Sequence, residues 1–402
     1  MIVRERYMQQ ILDVIDEPVI KVITGVRRCG KSVLLEMTRQ ALLNRGVRKG
    51  NIVAINFESL YYEPLRDYRA LYQEIVHLAK CTHGRLYIFL DEIQEVNAWE
   101  RAVALLHESL DCDIYITGSS TKLLSGELAA LLAGRYVEIR VYPLDLEEYL
   151  SFAAANGEEK NLSQQEHFAN YLRFGGLPGI HLMKWDGGRI MQYLHDVYSS
   201  VLLRDVIARN KIRDTALLES IVLYLMDNVG NTFSAKTISD YLKNSGRRLS
   251  TETVYTYLHA LESACLVYKV PRFDIRGGRT LETQDKFYLV DLGFRYAVRG
   301  VRDDDISGTL ENAVYLQLLR RGFSVNIGKQ DTLEVDFVAN REDERIYIQV
   351  CHVLTPENME QEFRPLEAIS DNYEKVVLST DTLRVNRGGI RQKNIIDFLL
   401  TP

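Results

Sequence analysis

The sequence predicts an α/β chain that opens on a parallel sheet flanked by helices, and two observations support this. Short apolar runs recur through the first third, at residues 19–24, 52–57, 86–90, 114–117 and 136–141. Each is apolar along its length, as a strand buried on both faces must be. Between them lie amphipathic stretches such as 33–43 and 99–110. Strands alternating with helices build a sheet covered on both sides.

Beyond this first part the pattern changes. A helical region begins at 144–150 and continues, after the polar stretch 156–165, to about residue 212. Residues 216–227, 235–243 and 251–263 read as three more helices. Two strand-like pieces, 265–273 and 286–290, then flank Gly277 and Gly278. Three helices followed by a hairpin make a winged-helix pattern. A last α/β unit starts near Gly308, with a helix at 310–320 and strands around 323–327, 333–339 and 345–350. The expected division is 1–145 for the sheet domain, 146–212 for a helical lid, 213–300 for the winged helix and 301–402 for the last unit.

Bulk properties agree with a chain of several cores. It has 402 residues with 46% hydrophobic content, enough for roughly two to four domains. Forty-nine basic residues against 55 acidic ones give a net charge of -6, which argues against coating nucleic acid or a membrane surface. The five cysteines are scattered, with no CxxC pair, so neither a disulfide framework nor a zinc ribbon is indicated. Charge at the N-terminus (Met-Ile-Val-Arg-Glu-Arg) leaves no apolar run for a signal peptide. No stretch reaches the ~20 apolar residues of a spanning helix. These features fit a soluble protein of a reducing cytoplasm.

The first strand runs into Gly25-Val26-Arg27-Arg28-Cys29-Gly30-Lys31-Ser32, which fits the pattern GxxxxGK[ST], and Val33-Leu34-Leu35 opens the following helix. Strand, glycine loop and helix in this order make a phosphate cradle. Glycines let backbone N–H groups turn inward, and the helix N-terminus adds its dipole. The set from Gly25 to Val33 is expected to hold ATP, with Lys31 on the β- and γ-phosphates and the Ser32 hydroxyl on Mg²⁺.

Leu86-Tyr87-Ile88-Phe89-Leu90-Asp91-Glu92 delivers two carboxylates to a strand's C-terminal end, where open α/β sheets bind ligands. Asp91 is expected in the Mg²⁺ shell, and Glu92 as the base that polarises water for attack on the γ-phosphate. Ile114-Tyr115-Ile116-Thr117-Gly118-Ser119-Ser120 is an apolar strand ending in hydroxyls. Ser119 is the candidate for γ-phosphate contact, with Ser120 next, against the alternative of an ordinary Ser-rich loop. Arg135, just before the fifth strand, reads either as a cation for transition-state charge or as a surface arginine.

Taken with further segments, these motifs resemble a prokaryotic family of AAA-like P-loop ATPases whose C-terminal domain is compared with PD-(D/E)XK nuclease folds. The further segments are Leu90-Asp91-Glu92-Ile93-Gln94, Leu132-Ala133-Gly134-Arg135, Phe174-Gly175-Gly176-Leu177-Pro178, Tyr288-Leu289-Val290-Asp291-Leu292-Gly293, Leu310-Glu311-Asn312 and Glu334-Val335-Asp336-Phe337. They span nearly the whole chain in the family's order. The resemblance implies an ATPase core, a helical lid, a winged helix and a restriction-endonuclease-like domain.

That last domain needs acidic metal ligands and a lysine. Glu311 and Asp336 stand where two ligands are expected, but Gln349-Val350-Cys351 replaces Glu-x-Lys. Glutamine binds Mg²⁺ less well than a carboxylate, and a thiol cannot supply lysine's charge. The domain is therefore expected not to cut DNA. The candidate recognition helix, 250–264, contains no lysine or arginine. Val254, Leu258 and Leu261 fall on one face and are expected in the core, leaving Thr253, Thr256 and Tyr257 for contacts. Arg247, Arg248, Arg272, Arg276 and Arg279 lie only at the edges, and Arg204, Arg209, Lys211 and Arg213 precede the module. A groove reader surrounds its contacts with phosphate-binding cations, so packing is favoured over DNA reading. The expected function is an ATP-driven switch on a DNA or protein partner. The alternatives are a nucleotide-responsive DNA-binding regulator and an ATP-gated nuclease; an oligomer is compatible with any of these.

Overall fold

The structure is a computed structural model. It describes residues 2–119, 123, 132, 134–157, 162–244, 249–300, 306–382 and 384–401. Two compact units divide it, one of residues 1–141 and 263–265, the other of 142–262 and 266–402.

The first unit is built on β1 (Ile20–Thr24), β2 (Ile52–Asn56), β3 (Leu86–Asp91), β4 (Cys112–Gly118) and β5 (Tyr136–Arg140). They form one sheet in the order β2-β3-β4-β1-β5, and every pairing is parallel. Every residue of β1, β3 and β4 is buried, so these strands read as unbroken apolar runs. Helices Lys31–Asn44, Tyr68–Ala79 and Trp99–Ser109 connect the strands. The apolar side chains of strands and helices share one core, with Val22, Ile88 and Ile116 meeting Leu71, Ile75, Val103 and Leu106. Lys21 breaks the apolar pattern in the middle of β1. It is tolerated because its ammonium pairs with Asp113 on β4 at 2.5 Å, both side chains being fully buried.

The second unit begins with helices Leu146–Ala155, Gln164–Phe174 and Gly187–Ser200, the last running into a π-helical turn over Val201–Ala208. Capping boxes fix the first two: Asp145 with Glu148, and Ser163 with Glu166. Helices Thr215–Asp227, Ala235–Asn244 and Thr251–Ser263 follow, as the sequence suggested.

The two strands expected as a wing are β6 (Val267–Asp274) and β7 (Arg279–Leu289). They lie in the same sheet as β8 (Ser324–Gln330), β9 (Leu333–Arg341), β10 (Glu344–Val350), β11 (Glu374–Ser379), β12 (Asn386–Arg387) and β13 (Ile390–Asn394). The order of these eight strands is β12-β13-β11-β10-β9-β8-β6-β7, and β6 joins β8 in parallel through Arg272 and Ile327. The expected boundary at residue 300 therefore runs through one sheet. Helices Leu292–Arg299, Ile306–Arg320, Met359–Glu367 and Ile395–Leu400 complete the unit.

Several family motifs turn out to be structural. Asp291 is buried and accepts from the N–H groups of Gly176 (2.7 Å) and Gly293 (2.9 Å). Gly175 has φ +73°, and a Cβ there would sit 1.9 Å from the Asp291 carboxylate, so only glycine fits. Asn312 acts as a short strand partner, accepting from Leu289 N at 2.7 Å and donating to Leu289 O at 2.9 Å.

Candidate functional site

In the first unit, the loop after β1 has three residues in the left-handed region: Gly25 (φ +149°), Arg28 (φ +70°) and Gly30 (φ +106°). Left-handed residues alternating with right-handed ones are what a backbone needs to turn its N–H groups toward an anion. At Gly25 the need for glycine is also steric, since a Cβ would lie 2.2 Å from the carbonyl oxygen of Val141. Lys31 opens the helix behind the loop and is buried; its ammonium donates to Gly25 O (3.0 Å) and Val26 O (3.2 Å). The Arg4 guanidinium, stacked on Tyr7, donates to Cys29 O at 3.0 Å and braces the loop from outside. Arg27 pairs with Glu58 at 2.5 Å. Cys29 is a neutral thiol, because burial raises its pKa.

The sheet order places β4 between β1 and β3, so the ends of all three strands meet at the loop. Asp91 and Glu92 are both buried. Burial raises the Asp91 carboxyl above its ordinary value, while hydrogen bonds from Thr117 and Ser32 act the other way. Asp91 and Ser32 thus lie side by side as hard oxygen donors, which suits Mg²⁺. Glu92 has φ +54°, an uncommon and mildly strained conformation for a residue with a Cβ. It is held by its N–H, which donates to Thr117 Oγ1 at 2.9 Å, while that hydroxyl donates to Asp91 Oδ1. The Glu92 carboxylate lies 3.7 Å from the Lys31 ammonium and accepts from Gln94 Nε2.

Ser119 is buried directly after β4, the strand that lies between β1 and β3; Ser120 lies outside the described residues. Arg135 does not join the site. It precedes β5, and its carbonyl accepts from Ile20 N at the start of β1, so it stands at the opposite end of a parallel sheet. There it pairs with Glu108 at 2.7 Å, both half exposed. The bland alternative for this arginine is the one the geometry favours within the chain. Sequence reasoning missed Thr117, Gln94 and Arg4. The first two lay inside recognised motifs but were not singled out, and Arg4 carried no local signal.

In the second unit, a cleft of about 850 Å³ contains Glu311, Glu334, Asp336 and Gln349. The expected lysine is absent from β10, where Cys351 follows the strand, yet a lysine is present. Lys286 comes from β7 and is buried, its ammonium 3.0 Å from Glu311, 3.0 Å from Glu334 and 3.1 Å from Asp336. Burial alone would lower its pKa, but the three carboxylates raise it overall, so it stays charged. Tyr288 also donates to Glu311 at 2.8 Å. Asp336 accepts from Val350 N at 2.9 Å. Burial pushes the Cys351 thiol up to about 12, so it is neutral. Among the described residues no group of three or more His, Cys, Asp and Glu side chains is arranged to hold a metal ion.

The helix Thr251–Ser263 buries Val254, Leu258 and Leu261 as expected, but also Tyr257, which is therefore core and not a DNA contact. Thr256 bonds back to Glu252 O within its own helix. Arg272 is engaged by Gln284, Arg276 by Asp331 and Arg209 by Asp205; Arg247 and Arg248 lie outside the described residues. No described helix is long and apolar enough to cross a membrane.

Fold and site together define an AAA-type P-loop domain, and residues 17–150 match the AAA domain family. Residues 165–305 match a domain of unknown function. The chain is 39% identical over 401 residues to an uncharacterised protein of Haemophilus influenzae, covering 100% of this chain and 99% of that one. An uncharacterised protein of Methanocaldococcus jannaschii is 31% identical over 364 residues, covering 88% and 79%. The chain belongs to one family with these two proteins. Among solved structures it resembles the Walker-type ATPase of Pyrococcus abyssi, with a TM-score of 0.53 and 17% identity over 74% of this chain and 96% of that one. At that identity the likeness is one of fold.

Proposed function

We propose that the chain binds MgATP at the loop 25–32 and hydrolyses it to drive a conformational switch that acts on a DNA or protein partner. The observation that carries this is the convergence of Lys31, Ser32, Asp91, Thr117 and Glu92 at the C-terminal ends of β1, β3 and β4. Loop N–H groups and Lys31 bind and orient the phosphates of the substrate, and Ser32 with Asp91 holds its Mg²⁺. Glu92, fixed through its backbone by Thr117, is positioned to accept a proton from the attacking water. Ser119 reports on the γ-phosphate from β4. The second unit is the part that meets the partner, with its nuclease-like region not cutting DNA.

The test is Glu92→Gln. The amide keeps shape and hydrogen bonding but cannot accept the proton, so ATP binding should persist while turnover falls by about 100-fold. Parental turnover in this variant would place the base elsewhere. Measuring the parent with and without duplex DNA then separates a DNA-stimulated switch from one that answers to protein.

A further inference from the structure

The cleft of the second unit is rich in carboxyl groups. Its described lining carries six (Glu311, Glu334, Asp336, Glu357, Glu360 and Glu362) against two cations, Lys286 and Arg364. Glu360 also pairs with Arg387 at 2.9 Å, and burial raises Glu311 to about 8, so the acidic excess rests on the remaining carboxylates. Lys286 is already shared among three of the six. Glu362, on the helix Met359–Glu367, is not served by it. This side chain is only 8% exposed, lines the cleft, and its Oε2 has no hydrogen-bond partner. Burial, and then the Asp336 charge, push its carboxyl up to about 7, while a hydrogen bond with Gln349 acts the other way. A buried carboxylate oxygen without a donor is costly. Here it faces a cavity within the size range of ligand sites.

We propose that this cleft is a docking site for a cationic side chain, a lysine or arginine borne on a basic segment of a partner protein, seated against Glu362 and Asp336. Charge complementarity selects the occupant. A polyphosphate chain brought into a cleft with this excess of carboxylates would be repelled, whereas a basic segment would be drawn in. An arginine fork satisfies two carboxylate oxygens at once, and a lysine gives three donors from one point. No residue of the loop 25–32 lines the cleft, so docking there does not depend on ATP hydrolysis.

The experiment uses the full chain and four probes: a fluorescein-labelled alternating Arg-Gly peptide, its Glu-Gly counterpart, a labelled DNA duplex, and MnCl₂ by calorimetry. The Arg-Gly peptide should bind, and the Glu-Gly peptide should not. Glu362→Gln should weaken peptide binding about tenfold, the loss of one charge-assisted contact. Glu147→Gln, the same charge change at an exposed position elsewhere in the unit, should leave it unchanged. Glu362→Gln should also melt no lower than the parent, because it removes a buried charge, so weakened binding cannot be laid to unfolding. Equal peptide binding by parent and Glu362→Gln would overturn the proposal. So would duplex DNA binding tighter than the Arg-Gly peptide, or Mn²⁺ binding that disappears in Glu362→Gln, which would assign the cleft to a metal.

Discussion

Lys286→Met tests whether the ammonium at the centre of the acidic cleft holds the second unit together. In the parent, Lys286 lies within 3.1 Å of Glu311, Glu334 and Asp336. The Glu334 side chain is 38% exposed, so water screens its charge and it adds little. Glu311 and Asp336 are buried, and methionine would leave them without a counter-charge. Removing one partner from a buried pair costs about 3–5 kcal/mol. With ~2–4 °C lost per kcal/mol in a unit of this size, melting should fall by about 10 °C near neutral pH.

The pH dependence gives a sharper test. Burial and the neighbouring Asp336 charge already raise the Glu311 carboxyl, and losing Lys286 raises it further. A carboxyl with a raised folded pKa binds more protons folded than unfolded, so stability rises as pH falls through that window. The lysine's own contribution is constant there, because its pKa is raised from an already basic value and is lost only at high pH. The parent's Glu311 carboxyl is pushed up to about 8 and the variant's lies higher, so the gap between them should be nearly constant below pH ~7 and widen as pH rises through ~8 and above. Differential scanning calorimetry on both chains measures it, and Lys286→Met with Glu311→Gln should recover most of the loss. A variant that melts within about 2 °C of the parent at pH ~9, or a gap that does not widen above pH ~8, would show that Lys286 does not neutralise these carboxylates.

Lys31→Ala should abolish MgATP binding in calorimetry, since it removes the main phosphate cation of the loop; unchanged affinity would sink the assignment of this loop. The purified chain should not nick DNA with Mg²⁺ or Mn²⁺, and cleavage that disappears in both Glu311→Ala and Asp336→Ala, purified identically, would overturn that expectation. Asp291→Asn should destabilise the second unit by about 1–3 kcal/mol, because an amide cannot accept as well from two backbone donors. The Asp291 carboxyl is pushed up to about 6 by burial, so its charge weakens the fold as pH rises from ordinary carboxylate values through 6. The cost of Asp291→Asn should accordingly be smaller near neutral pH than below it.

The candidate nucleotide site can be read from the sequence because it is local. Gly25 to Ser32 is one loop, Asp91 and Glu92 end one strand, and the apolar runs around them could only be buried strands. Ser119 stands out because hydroxyls end an apolar strand, and the structure sets that strand, β4, between β1 and β3; its contact with phosphate is a proposal. Arg135 sat in a family motif, but its place before a parallel strand puts it at the wrong end of the sheet, a matter of direction that residue type does not reveal. Lys286 was out of reach for another reason. It lies 50 positions before Asp336, in a strand read as part of a wing, and nothing near it in sequence hints at three carboxylates. Tyr257 misled because its helical face was judged from aliphatic residues alone. The pairing of β6 with β8 could not be read from sequence, because a hairpin has the same pattern whether it stands alone or extends a larger sheet.

That hairpin has a practical consequence. The match to a domain of unknown function ends at residue 305, which invites expression of a fragment stopping there. Such a fragment would keep β6 and β7 and lose β8, the strand beside β6. It would expose an unpaired strand edge, a template for intermolecular pairing, and leave Lys286 buried against none of its carboxylates. Insolubility of that fragment would say nothing about the intact protein, because the strands within 267–289 and 324–394 belong to one hydrogen-bonded sheet despite the interval between them.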